Sequence, residues 1–70
     1  MSKFFISPKN PSIRPDFNEA ADILDRQTKV MDILFGTGFF VEASDAAVPQ
    51  LEKVLPDWKI SPGWPKLRDY

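Results

Sequence analysis

Two carboxylates three positions apart, Asp22 and Asp25, and the glycines of "FGTGFF", Gly36 and Gly38, are the residues of this 70-residue chain whose spacing could support chemistry. On a helix, a carboxylate pair at that spacing can flank a hard cation, which asks for six or more oxygen ligands. Nothing near the pair completes such a set, so it is expected on a solvated helix face. A phosphate-cradling loop would need a further glycine where Val41 stands, and a hairpin turn explains the two glycines better. Ser7, Ser12, Ser44 and Ser61 could serve as nucleophiles only beside a base, and the chain has no histidine. It has no cysteine either, which removes disulfides, thiolate metal sites and thiol nucleophiles together. No catalytic residue, metal or cofactor is therefore assigned, and a binding function is expected in place of an enzymatic one.

The totals point the same way. Nine Lys plus Arg against ten Asp plus Glu give a net charge of −1, with the basic residues scattered from Lys3 to Arg68, so nucleic acid is not an expected partner. No stretch approaches the ~20 apolar residues of a membrane span, and the apolar run at the N-terminus is too short for a secretory signal. A cytoplasmic protein is expected, or a mature fragment. At 43% hydrophobic and 13% aromatic the composition is that of one small folded domain, residues 1–70; a monomer is the expectation, with the oligomeric state left open by the sequence. Such a chain hides only about 60% of the surface it exposes when unfolded, so its stability should be marginal.

The elements that would position any binding surface follow from local patterns. Lys3–Ser7 reads as a buried strand ended by Pro8. A connector with Pro8, Pro11 and Pro15 follows, in which each proline turns the preceding residue away from helix. Asp16-Phe17-Asn18-Glu19 has the form of a capping box, and Phe17, Ala20, Ala21 and Leu24 fall at i, i+3, i+4 and i+7, which predicts an amphipathic helix starting at Phe17. From Thr28 the period becomes two. Met31, Ile33 and Phe35 alternate with Val30, Asp32 and Leu34, and after Gly36-Thr37-Gly38 the alternation resumes with Phe39, Val41 and Ala43. That is a hairpin whose glycines would supply positive φ angles.

Ser44 or Asp45 can cap a second helix carrying Val48, Leu51, Val54 and Leu55 on one side, with Pro49 confining its start and Pro56 its end. A last strand at Trp58–Ile60 puts Trp58 in the core, and Pro62-Gly63 interrupts it. Strand, helix, strand, strand, helix, strand predicts an α+β domain: a ferredoxin-like βαββαβ fold, a four-stranded antiparallel sheet with both helices on one face. The other face would carry Val30, Leu34 and Phe40 as an interaction patch. "KFFI" and "GTGFFV" also look somewhat like the two sheet signatures of the RNA-recognition motif. Phe35 stands where that motif has a Lys or Arg, and Thr37 where it has a base-stacking aromatic.

Taken together, "KFFISPKN", "KVMDILFGTGFFVEAS" and "AVPQLEKVLPDWKI" resemble the opening strand, central hairpin and second helix of the subtilisin propeptide and peptidase-inhibitor family. Members are small βαββαβ domains that pack their sheet on a subtilisin-like serine protease. They leave an extended C-terminal tail in its active-site cleft like a cleaved product. The resemblance implies that residues 62–70 form such a tail, with Leu67, Arg68, Asp69 and Tyr70 contacting the protease. Tyr70 would fill the primary specificity pocket and Leu67 a second apolar one, while Pro62 and Pro65 would keep the tail extended and lower the entropy lost on docking. Inhibition, or chaperoning of the protease's folding, is the function it implies. The alternative is a non-inhibitory domain that binds a peptide or another protein through the open sheet face.

Overall fold

A computed structural model describes residues 2–10, 15–34 and 36–64. β1 spans Ser2–Pro8, α1 Phe17–Gln27, β2 Lys29–Leu34 and β3 Gly38–Ala43. A 3-10 turn at Asp45–Ala47 leads into α2 (Val48–Val54), and β4 covers Trp58–Pro62. The strands form one antiparallel sheet in the order β2-β3-β1-β4. With two helices joining the strands, this is an α+β fold compatible with a ferredoxin-like arrangement. Both helices feed a single core: Ala20 and Leu24 of α1 and Leu51 and Leu55 at α2 pack with Phe4, Ile6, Phe39, Val41, Ala43 and Trp58 of the sheet. The helices therefore share one side of the sheet, the inner side.

Local chemistry explains where each helix begins and stops. The Asp16 carboxylate accepts hydrogen bonds from the backbone N–H of Asn18 (2.9 Å) and Glu19 (3.1 Å), satisfying two donors that the first turn leaves without helical partners. At the other end Thr28 turns extended, and both its N–H and its hydroxyl donate to the Leu24 carbonyl at 2.7 Å. Pro49 sits in the first turn of α2, where its missing N–H costs no hydrogen bond. Ser44 occupies the N-cap position of the 3-10 turn without a side-chain bond.

At the centre of the core three rings meet. Phe17 stacks on Phe39 at 5.4 Å between centroids and meets Trp58 edge-on at 4.9 Å, and Phe39 and Trp58 lie 5.4 Å apart. Phe39 is fully buried and Trp58 is 5% exposed, as expected for the anchor of a small sheet.

Two expectations about the hairpin need correction. The first concerns β2, whose simple alternation is broken by a bulge between Val30 and Asp32. Met31 is the extra residue and is 45% exposed, whereas Val30 pairs with Val41 and packs against the core together with Ile33. A bulge adds one residue on one strand only, so the residues before it change face relative to a strict period of two. Val30 therefore belongs to the inner side and not to the interaction patch. Phe35, expected beside Ile33, lies outside the described residues.

The second concerns the glycines. Gly36 has φ +86° and serves the turn, closed by a bond from Thr37 N–H to the Leu34 carbonyl at 2.8 Å. Gly38 has no positive φ and is needed for space: a Cβ there would stand 2.5 Å from the Ile6 carbonyl oxygen and 2.7 Å from the Phe5 ring.

Candidate functional site: the outer face of the sheet

Register assigns the outer face residue by residue. Directly paired residues share a face, so Phe5 opposite Phe40 and Lys3 opposite Glu42 join β1 to β3. Asp32 opposite Phe40, Lys29 opposite Glu42 and Leu34 opposite Gly38 join β2 to β3. Ser7 opposite Lys59 and Phe5 opposite Ser61 join β1 to β4. Leu34 and Phe40 thus stand on this face, both half-buried.

Its middle is aromatic. The rings of Phe5 and Phe40 lie 5.2 Å apart, tilted by 47°. Phe5 is only 9% exposed although no helix covers it. The empty side-chain position at Gly38 lets its ring lie against the β3 backbone, the arrangement by which an aromatic shields a glycine from solvent.

The last cover comes from the chain's own C-terminal segment. β4 ends at Pro62, which pairs with Phe4, and the Gly63 N–H donates to the Lys3 carbonyl at 2.7 Å. Gly63 has φ +77°, a conformation that L side chains rarely adopt, and it turns the chain back over the outer face. Trp64 then lies across β1. Its ring is 5.5 Å from that of Phe40, its indole Nε1–H donates to the Val41 carbonyl at 3.2 Å, and the Lys3 ammonium sits 4.7 Å from the centre of its ring. Neighbouring charge is mixed: Glu42 stands between Lys3 and Lys29 in register across three strands.

The expectation of a flat, uncovered platform around Phe40 is therefore corrected: Trp64 roofs part of it. Pro62, expected to open an extended tail, is a strand residue at the sheet edge, where its missing N–H costs no ladder bond. Leu67, Arg68, Asp69 and Tyr70 lie outside the described residues. Phe5, Lys3 and Trp64 were not expected at the site. For Trp64 the sequence held one signal, a large aromatic just past a strand closed by Pro-Gly.

Elsewhere the geometry offers less. Asp22 pairs with Arg26 at 3.0 Å, both largely exposed, in keeping with a solvated face at Asp22 and Asp25. A cleft of about 200 Å³ opens between the N-terminal half of α1 and the end of α2, with Ala20, Ile23, Leu55 and Trp58 among its lining and Asp16, Glu19 and Asp57 also lining it. The Asp16 carboxylate there already accepts the two capping bonds. Among the described residues, no three or more His, Cys, Asp or Glu side chains converge as a metal site would require. No helix among them is long and apolar enough to cross a membrane. Comparison of the chain with protein-family models, with curated proteins and with solved structures finds no match.

Proposed function

We propose that this chain is a non-catalytic protein-binding module that meets its partner with the outer face of its sheet, and that the partner is a subtilisin-like serine protease. The observation that carries this is the Phe5–Phe40 ring pair on the side of the sheet without helices, with the chain leaving β4 across that same side. A strand order of β2-β3-β1-β4 with both helices opposite is the arrangement that the family resemblance implies. Trp64, the last described residue, rests on this same face, which supports a partner that meets sheet and tail together.

In this proposal Leu67 and Tyr70 fill two apolar pockets of the enzyme, Arg68 and Asp69 pass between them, and main-chain pairing adds affinity as in other strand-addition complexes. It includes a monomer, and residence in the cytoplasm unless the chain is an excised propeptide. Nucleic acid is a poorer fit: the faces of Phe40 are shared with Phe5 and Trp64, and the lysines beside them alternate with Glu42.

Titration of subtilisin with the chain, read by residual activity, tests the proposal. Inhibition is expected, and deletion of residues 67–70 should weaken it about a hundredfold or more, because buried anchor residues are worth ~2 kcal/mol or more each. Equal inhibition by the truncated and full chains would refute the tail mechanism. A wider form, a domain that binds another protein or peptide through the same face, is separated by chemical-shift mapping. The protease mechanism requires outer-face and tail amides to respond together.

A further inference from the structure

Trp64 and Trp58 are both tryptophans beside β4, yet they are held differently. Trp58 is 5% exposed within the three-ring core, whereas Trp64 is half-buried and lies beyond the last strand. It follows Gly63, whose N–H makes the last bond to β1 at the Lys3 carbonyl (2.7 Å) and whose φ of +77° turns the chain beyond it, so the indole lies past the end of the ladder. What holds the indole is a three-point surface site. Phe40 offers a ring to one part of it, Lys3 an ammonium over the π system, and Val41 a carbonyl to the N–H edge. Phenylalanine lacks the donor for the third point, and tyrosine carries its donor at the far end of the ring. The site is shaped for an indole.

We infer that Trp64 is a displaceable latch: it occupies in cis a subsite for a tryptophan side chain of the protein partner, and binding exchanges one ring for the other. This rests on the proposal that the partner meets the outer face, because a partner packed flush on Phe40 needs the space that Trp64 fills. Such a latch lowers apparent affinity by the fraction of molecules in which it is closed. It also keeps part of Phe40 covered while no partner is present.

The test uses the ¹⁵N-labelled chain, the Trp64→Ala variant and N-acetyltryptophanamide as probe. In the folded variant, millimolar probe should shift the amides of Lys3, Phe40 and Val41, while the wild-type chain at the same concentration should not respond there. Absence of those shifts in the folded variant, or equal responses from the two proteins, would overturn the latch.

Hydrogen exchange of the Trp64 indole N–H in the wild-type chain supplies a second measurement that does not depend on how the variant folds. Exchange at least about a hundredfold faster than the slowest β1 amides is expected from local opening. Exchange only through global unfolding would make Trp64 a fixed core residue and would also overturn the inference. A failed subtilisin titration alongside positive probe shifts removes the protease and keeps the latch. Inhibition without probe shifts does the reverse.

Discussion

The two faces of the sheet each carry a cluster of three aromatic rings, and the clusters differ in what surrounds them. On the inner face Phe17, Phe39 and Trp58 come from a helix and two strands, and α1 and α2 close over the core they share. On the outer face Phe5, Phe40 and Trp64 form a row one side chain deep, in which only Phe5 approaches full burial. Ring chemistry and centroid spacing are nearly the same in both. A fold gains most from rings covered on every side, whereas rings in a single layer keep a surface that another molecule can reach. That contrast makes the inner cluster the structural one and the outer cluster the candidate for function.

Mutations can break or sharpen this contrast. The largest effect is expected at Phe39, where replacement by Ala empties the centre of the inner cluster and should cost ~3–5 kcal/mol. A domain of this length has roughly 4–10 kcal/mol in total, at 0.05–0.15 per residue. Chemical denaturation followed by circular dichroism should therefore find the variant without about a third or more of the wild-type stability at 25 °C. A loss below ~1 kcal/mol would show that the inner ring cluster is not what holds the fold.

Gly38→Ala comes next. The new methyl would press on the Ile6 backbone oxygen, which cannot swing aside, and on the Phe5 ring, which can. A loss of ~1–3 kcal/mol is expected, accompanied by greater solvent access to Phe5. Unchanged stability would mean that the outer row does not depend on the glycine beneath it.

Trp64→Ala should cost less, about 1–2 kcal/mol, the sum of one aromatic pair and an exposed cation–π contact. Ring signals of Phe40 should shift in the variant while those of Phe39 stay in place, and a disturbed Phe39 would merge the two clusters into one unit. The smallest effect belongs to Lys3→Ala, under ~1 kcal/mol because the ammonium is exposed and screened by salt. Here the readout is Trp64 fluorescence in the wild-type and variant chains as salt is raised. Salt should change the wild type only.

Much of the inner face was legible because it is written in local rules. The aspartate at position 16 announces the start of α1, the 3.6-residue stripe selects Ala20 and Leu24, and Pro49 and Pro56 bracket α2 within two turns. The outer face was legible only in part. Phe40 and Leu34 follow from alternation along uninterrupted strand segments, but Val30 lies before a bulge that no single residue type signals, and one extra residue reverses its face. By its sequence Phe5 reads as one residue of a buried strand, and its actual cover depends on Gly38 from β3.

By itself, then, the sequence settled what neighbours along the chain can settle: the element order, the helix ends, the inner stripe, and the lack of histidine and cysteine that directs attention to binding. Tertiary structure decided which apolar side chains are free to meet another molecule. That depends on pairings between residues distant in the chain, above all on Gly63 turning Trp64 back onto a carbonyl 23 positions earlier. Hydrophobic period carries no information about such a contact, because it records only which side of its own element a residue occupies.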